Sequence, residues 1–182
     1  MARQNSFDFD LYDRGVFARL TGVDVGYGPT IVLCGVDFEA RKGEVALVTG
    51  PEAAGKTTLM HLLRMTLAPR AGRALILGAD SARAGARLQA KVKRRIGYVA
   101  ENPVFVEQWT AFDNIALPLK MAGKRLRDYT PDVHELVDFV GLGSGAADLA
   151  VEKLSGAERR RVAIARALAT KPELILADDP TA

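Results

Sequence analysis

Short apolar runs rich in Val, Ile and Leu alternate along the chain with stretches in which apolar residues recur every three or four positions. The first pattern is typical of buried β-strands and the second of amphipathic helices, so the alternation predicts a mainly parallel sheet built from β-α-β units. The predicted strands are Gly43–Thr49, Arg73–Leu77, Arg94–Val99 and Glu173–Ala177, and the predicted helices are Lys56–Leu67 and Ser155–Ala169.

The segment from about residue 101 to 155 interrupts this alternation with a mostly helical pattern. Thr130-Pro131 is a signal for the start of a helix and Gly141 for its end. We therefore predict an inserted helical subdomain in a domain that covers residues 17–182, after a polar, flexible segment at residues 1–16. A parallel strand needs a crossover connection to its neighbour. The end at Ala182, soon after a predicted strand, leads us to expect a domain without its C-terminal part.

Composition and charge exclude several classes of protein. The 182 residues are 48% hydrophobic and 26% charged, with a formal net charge of +3, which is unlike a disordered tail or a collagen-like chain. One cysteine, Cys34, cannot form an internal disulfide. The chain has no apolar run near the ~18 residues of a membrane helix. Aspartates occupy the N-terminal region where a secretion signal needs an apolar core, and we predict a cytoplasmic domain.

One segment matches the phosphate-loop pattern G-x-x-x-x-G-K-[ST], between a predicted strand and a predicted helix. A helix N-terminus offers backbone N–H groups and a positive dipole end to an anionic phosphate. Lys56 is expected to reach the β- and γ-phosphates of ATP, and the Thr57 hydroxyl to hold Mg²⁺. A glycine-containing turn without a ligand is the alternative. The predicted nucleotide-binding residues here are Gly50, Pro51, Glu52, Ala53, Ala54, Gly55, Lys56, Thr57 and Thr58.

A second element fits the same chemistry. The apolar residues 174–177 end in Asp178, and an apolar strand ending in a carboxylate is the usual companion of a phosphate loop. Mg²⁺ keeps several waters and takes few protein oxygens, so Asp178 would hold it through its water shell. Many strands end in aspartate, and the signal becomes specific only together with the phosphate loop.

Residues 154–168, LSGAERRRVAIARAL, resemble the signature helix of ABC-family ATPases. The phosphate loop, this segment and the strand before Asp178 occur in that family's order and approximate spacing. The resemblance spans residues 17–182 and implies an α/β fold. In that fold a P-loop NTPase core of the ABC ATPase type, with a mainly parallel sheet, carries an N-terminal antiparallel β subdomain and an inserted helical subdomain.

The resemblance also implies roles for residues outside the phosphate loop. Ser155, Gly156 and Ala157 would meet the γ-phosphate bound by a second subunit, so that ATP lies between two domains of a homodimer. Ser155 and Glu158 also have the spacing of a capping box that opens a helix, and both roles are compatible. Tyr27 would stack on adenine, since a base packs well on an aromatic ring. It could equally be an ordinary turn residue.

Two further segments narrow the resemblance. Arg94–Val99 and Thr110–Leu119 are similar to the FtsE cell-division ATPases, and the lipoprotein-release and macrolide-export ATPases are nearly as similar. This likeness implies ATP binding and hydrolysis with Mg²⁺, coupled to a membrane-spanning partner subunit that is FtsX-like in the first case. Through that partner the chain would lie on the inner face of the plasma membrane. No nucleic-acid partner is expected.

The chain departs from the family pattern at five positions. Asp179 stands where the family has the glutamate that positions the attacking water, and Glu101 where it has a glutamine that senses Mg²⁺; these two are the predicted catalytic residues, and Glu101 is also a predicted metal ligand. Glu52 and Ala53 replace Ser and Gly in the phosphate loop, and Ala157 replaces the second signature Gly. We predict that ATP binding persists and hydrolysis is impaired. The alternative is an inactive nucleotide-binding scaffold.

A basic run lies between residues 81 and 100, a stretch that contains no acidic residue. A solvated helix face is the simple interpretation, and contact with acidic lipid headgroups or nucleic acid is the functional one. No aromatic residue is interleaved with the cations, which argues against a groove for single-stranded nucleic acid. The run consists of Arg83, Arg87, Lys91, Lys93, Arg94 and Arg95.

Overall fold

The computed structural model describes residues 6–180, which divide into two compact units: unit 1 extends to Ile96 and unit 2 begins at Gly97. The elements of unit 1 are α1 (Phe9–Asp13), β1 (Val16–Tyr27), β2 (Thr30–Arg41), α2 (Lys56–Leu63), β3 (Ala71–Ile76), β4 (Ala79–Asp80) and α3 (Ala86–Lys93). From β5 onward the elements are β5 (Ile96–Val99), α4 (Ala111–Met121), α5 (Leu126–Phe139), α6 (Ser144–Ala147), a 3₁₀ turn (Val151–Lys153), α7 (Gly156–Leu168) and β6 (Leu174–Ala177).

Unit 1 is built on a four-stranded sheet in the order β2-β1-β3-β4, in which each neighbouring pair is antiparallel. Along β1 the side chains alternate, and Val16, Ala18 and Leu20 are buried, as a strand with one covered face requires. Helix α2 lies against β1, β2 and β3 and buries Leu59 and Leu62. The antiparallel N-terminal sheet is therefore present as predicted.

The strand predicted at residues 43–49 is wrong. These residues form a turn followed by irregular chain, and Val45 and Leu47 are 98% and 86% exposed. An apolar run becomes a strand only where a neighbouring strand accepts its hydrogen bonds, and within residues 6–180 this run has no such partner. The helix predicted after the phosphate loop is shorter than expected, since it ends at Leu63 and Met65 adopts a φ of 57°.

The N-terminal segment is more closely packed than its polar sequence predicts. Residues 1–5 lie outside the described part of the chain, whereas Asp8 caps α1 by accepting a hydrogen bond from the backbone N–H of Leu11. Tyr12 stacks on Phe17 at the start of β1 with a centroid separation of 5.8 Å. The guanidinium of Arg95 lies 5.0 Å from the Tyr12 ring centroid. These contacts attach the described residues 6–16 to unit 1, and the flexibility of residues 1–16 stays a prediction.

Unit 2 contains the predicted helical segment and the hydrogen-bonded pair of strands β5 and β6. Its core is formed by α4, α5 and α7, with Ile115, Val133 and Val162 fully buried. Helix α5 begins at Leu126, before the predicted start at Thr130-Pro131. The Thr130 hydroxyl donates to the Leu126 carbonyl at 2.7 Å, and Pro131 is accommodated inside the helix. The helix ends as predicted, because Gly141 follows it with a φ of 67°.

Candidate functional site

The phosphate-loop segment of unit 1 wraps the N-terminus of α2. Gly55 is the N-cap of α2 with a φ of 90°, and a Cβ at this position would lie 2.7 Å from Leu33 Cδ2, so only glycine fits. The Lys56 ammonium donates to the carbonyl oxygens of Gly50 and Pro51 at 2.9 and 2.8 Å. Thr58 is buried, whereas Thr57 is exposed. The loop thus closes back on the first residue of the helix.

This loop fits a phosphate group. No side chain caps α2, and no acidic residue lies in its first turn. The first N–H groups of a helix have no acceptor within it, so an anion can supply one. The Thr57 hydroxyl makes no hydrogen bond within residues 6–180, and it is available to a metal ion or a phosphate oxygen. Residues 50–54 are exposed, which leaves the loop open to a ligand.

The two departures in this loop behave differently. Ala53 adopts a φ of 60°, the left-handed conformation that glycine enters freely and alanine does not. The left-handed backbone explains why the family pattern has a glycine at this position, and it strains the alanine that replaces it. Glu52 is exposed, so water can screen its carboxylate.

Tyr27 lies at the tip of the β1–β2 hairpin. The residue before it is Gly26, and a Cβ added to Gly26 would lie 2.0 Å from the Thr30 carbonyl oxygen. The hairpin can therefore close only with a glycine at this position. The Tyr27 hydroxyl lies 3.1 Å from His61 Nδ1 of α2, and the residue Tyr27 is 47% exposed. The tyrosine is thus held at one edge by α2 while its ring remains accessible. The contact with His61 could not be predicted from the sequence, because it joins residues 34 positions apart.

In unit 2, Asp178 follows β6 and is 8% exposed. Its backbone N–H donates to the Val99 carbonyl at 2.9 Å, which ties the end of β6 to β5. The Tyr98 hydroxyl lies 3.5 Å from Asp178 Oδ2. Asp179 is exposed and has a φ of 44°, a conformation that aspartate tolerates better than most residues. The backbone therefore offers a reason for aspartate at this position.

The predicted capping box at the start of α7 is confirmed. The backbone N–H of Ser155 donates to the Glu158 carboxylate at 2.8 Å, the Ser155 hydroxyl donates to the same carboxylate at 2.6 Å, and the N–H of Glu158 donates to Ser155 Oγ at 3.3 Å. The hydrogen bonds from Ser155 lower the pKa of Glu158. Ser155, Gly156 and Ala157 are exposed, and a Cβ on Gly156 would meet open space. This helix end is accessible to a ligand.

Three arginines of α7 bind the segment that follows β5; we call this set the arginine clamp (Arg159, Arg160 and Arg166). Arg160 donates to the carbonyl oxygens of Ala100 and Glu101 at 3.2 and 2.9 Å. The clamp therefore holds the backbone of Glu101, while the residue itself is exposed. The contacts of Arg160 could not be predicted from the sequence, because their partners are 60 and 59 positions away.

The other two arginines fix the rest of the segment. Arg159 forms a two-pronged ion pair with Glu107 at 2.6 and 2.7 Å, and this pair lowers the pKa of Glu107. Arg166 donates to the Val104 carbonyl at 2.7 Å. The ring of Phe105 lies within 5.2 and 4.7 Å of the guanidinium carbons of Arg159 and Arg166. Planar guanidinium groups stack on aromatic rings in this way.

The predicted Mg²⁺ ligands are distributed between the units. Thr57 belongs to unit 1, whereas Glu101 and Asp178 belong to unit 2. Within residues 6–180 there is no group of three or more His, Cys, Asp or Glu side chains that could hold a metal ion. Mg²⁺ typically takes one or two carboxylates together with water and phosphate oxygens. The Thr57 hydroxyl and the buried Asp178 carboxylate each carry an oxygen of the kind that Mg²⁺ accepts as a ligand.

No helix within residues 6–180 has the length and apolar character needed to cross a membrane.

Comparison with known proteins identifies the family to which this sequence is related. A family model described as ABC transporter matches residues 33–182. An uncharacterized ABC transporter ATP-binding protein of Thermotoga maritima is 40% identical over 159 residues, covering 87% of this chain and 68% of that protein. The lipoprotein-releasing system ATP-binding protein LolD of a Shewanella species is 37% identical over 84% of this chain and 66% of its own length. LolD of Bacteroides fragilis is 36% identical, with coverages of 90% and 76%.

Solved structures agree with this result. A dimeric ATP-binding cassette in a post-hydrolysis state with ADP and phosphate superimposes with a TM-score of 0.81 at 28% identity, over 90% of this chain and 74% of that one. A bacterial ABC exporter with ATP bound gives a TM-score of 0.75 at 29% identity, over 100% of this chain and 32% of that one. The predicted fold class is thereby confirmed. The chain spans about two thirds to three quarters of the curated relatives named above, and it belongs to the ABC transporter family.

Proposed function

We propose that this chain binds Mg·ATP through the phosphate loop of unit 1 and acts as the ATP-binding subunit of a membrane transporter complex. The observation that carries the proposal is the start of α2. This helix has no side-chain cap and no acidic residue in its first turn, and the ammonium of Lys56 lies over the loop carbonyls. A triphosphate supplies the acceptors and the negative charge that such a helix end lacks.

The residues would have the following roles in binding Mg·ATP. The first N–H groups of α2 and the Lys56 ammonium bind the β- and γ-phosphates, and Tyr27 packs on the adenine. Thr57, Asp178 and Glu101 would be the ligands of Mg²⁺, with Asp178 acting through the water shell of the ion. A bound Mg²⁺ would supply positive charge beside the phosphate oxygens.

For hydrolysis, we propose that Asp179 orients the attacking water. Its carboxylate is one methylene shorter than the glutamate of the family pattern, and a displacement of about 1 Å can lower a rate about 100-fold. We therefore propose that this subunit turns ATP over slowly. A nucleotide-binding scaffold with no turnover is the second candidate, and the strained Ala53 favours it, since it stands where the family pattern has a flexible glycine.

The relatives support a proposal for the partners. Two of those named above belong to lipoprotein-releasing systems, which favours a transporter of that type over an FtsE-like role in cell division with an FtsX-like partner. A membrane-spanning subunit would hold the chain at the cytoplasmic face of the membrane. A second copy would face the bound ATP through Ser155, Gly156 and Ala157, an arrangement supported by their exposure and by the dimeric cassette of known structure.

The first test is calorimetric titration of the chain with Mg·ATP. We expect micromolar binding by the unchanged protein and at least a tenfold loss in Lys56→Ala, because the lysine contributes the charge nearest the terminal phosphates. Lys42→Ala is the matched control, since it removes an exposed lysine outside the loop and should bind as the unchanged protein does. Absence of binding by folded protein, or equal losses in both variants, would overturn the proposal.

A further inference from the structure

The clearest unassigned surface of unit 1 is one face of α3. Arg87, Lys91 and Arg94 are spaced four and three residues apart, so their side chains fall within one narrow sector of the helix. We call these three residues the basic stripe. It extends about 10 Å along the axis, from the rise of about 1.5 Å per residue. All three residues are exposed, whereas Val92 on the opposite side is fully buried.

The charge of this stripe is uncompensated. Among residues 6–180, none forms an ion pair or side-chain hydrogen bond with Arg87, Lys91 or Arg94. No acidic residue occurs between positions 81 and 100. Two other arginines of unit 1 have polar side-chain partners: Arg73 lies 3.3 Å from Asp80, and Arg95 donates to the Tyr12 hydroxyl at 2.6 Å. The stripe is therefore a local concentration of positive charge on a chain whose net charge is only +3.

We propose that the basic stripe binds the surface of an anionic phospholipid bilayer. Several Lys and Arg side chains on one helix face attract acidic headgroups, and each cation near such a surface strengthens binding about fivefold. Nucleic acid is the less suitable partner, because no aromatic residue lies among the cations to stack on bases. The choice of a bilayer rests on the proposed function, which brings the chain close to a membrane. The contact itself is independent of ATP.

The surface is confined to α3. Helix α1 is attached near the end of α3 through the contact between Tyr12 and Arg95, but it carries the exposed carboxylates of Asp10 and Asp13. Like charges repel, so an anionic surface would not be held by α1. A direct lipid contact by α3 would orient the subunit at the membrane in addition to its contact with a spanning partner.

Vesicle co-sedimentation of the full chain, without nucleotide, tests the proposal. The vesicles are phosphatidylcholine alone or equal parts phosphatidylcholine and phosphatidylglycerol. We expect binding only to the second kind, weakened by added salt, because screening shortens the reach of the charges. The variant R87Q/K91Q/R94Q should bind at least tenfold more weakly. The positions are exposed, and an unchanged circular dichroism spectrum verifies folding.

Two further variants separate the stripe from net charge and from specific pairing. K42Q/R125Q/K153Q removes the same charge at exposed positions elsewhere and should bind as the unchanged protein does. R87K/R94K keeps the charge and should also bind, because a bilayer responds to charge whereas bidentate pairing requires arginine. Equal losses in the two glutamine triples, or no binding to the anionic vesicles, would overturn the proposal. So would binding of the stripe to duplex DNA in preference to these vesicles.

These outcomes are distinguishable from failure of the proposed function. Vesicle binding is measured without ATP, and Lys56→Ala should leave it unchanged. Loss of ATP binding with retained vesicle binding would contradict the phosphate-loop assignment alone, whereas the converse would contradict the lipid surface alone.

Discussion

At the scale of single residues, two departures from the family pattern lie in left-handed backbone. Ala53 has a φ of 60° and Asp179 a φ of 44°. Aspartate is enriched in this conformation, whereas alanine there costs about 1–2 kcal/mol. The two substitutions therefore differ in consequence: Asp179 suits its backbone and changes only the reach of the carboxylate, while Ala53 stores strain in the loop that would bind phosphate.

Ala53→Gly should therefore stabilise unit 1. Relief of the left-handed strain exceeds the greater flexibility of glycine in the unfolded chain, and we expect a net gain of about 0.5–1 kcal/mol. Differential scanning calorimetry measures this gain, and Mg·ATP affinity should rise with it. Ala54→Gly is the matched control, since Ala54 is an exposed neighbour without positive φ, and it should bring no gain. A lower melting temperature for Ala53→Gly would contradict the argument.

At the scale of elements, the arginine clamp joins α7 to the segment that follows β5. Both ends of this connection are parts of the proposed site, since α7 begins at the signature residues and the segment begins at Glu101. Arg160 contacts the backbone of Glu101, so it is a positioning residue for whatever that side chain binds. Within unit 2, the clamp thus fixes the backbone of Glu101 relative to α7, and both regions are predicted to contact ligands.

The clamp also predicts how stability depends on pH. The pKa of Glu107 is lowered, mainly by the hydrogen bonds from Arg159. The stabilisation is therefore present above the usual glutamate pKa of 4.5 and is lost as the pH falls through the lower folded value. We expect Glu107→Gln to be less stable than the unchanged protein at neutral pH, and the difference to vanish in acid.

Urea unfolding monitored by the fluorescence of Trp109, the single tryptophan, measures this dependence in unit 2. Glu152→Gln is the control, because the exposed Glu152 side chain pairs with no residue of the described chain. Its stability should follow the pH curve of the unchanged protein. A constant difference between Glu107→Gln and the unchanged protein from neutral to acid pH would show that the ion pair does not contribute.

At the scale of the whole molecule, the proposed turnover can be tested by restoring the two departures of unit 2 that the family pattern places beside the reacting phosphate. Asp179→Glu combined with Glu101→Gln restores the family pattern beside the reacting phosphate, and we expect ATP turnover to rise at least several-fold, because the water-orienting carboxylate regains its reach. Phosphate release at saturating Mg·ATP measures the change. Adding Lys56→Ala to this double variant should abolish the gain. An unchanged or lower rate in the double variant would favour the scaffold candidate.

Features that depend on neighbouring residues could be predicted from the order of amino acids alone. The glycine and lysine of the phosphate loop, the start of α2 and the capping box of Ser155 and Glu158 were all predictable, since each rests on contacts within a few residues. The family could likewise be identified from the order of three short motifs. Such features need no knowledge of how the chain folds back on itself.

Features that join distant residues became visible only in the folded chain. Residues 43–49 have the composition of a strand, yet strand formation requires a hydrogen-bonded partner that local sequence cannot specify. The contact between Tyr27 and His61 spans 34 positions, and that between Arg159 and Glu107 spans 52. The strain at Ala53 is also set by how the loop closes onto α2. Local propensities are encoded along the chain, whereas pairing and strain arise when separate segments compete for the same space.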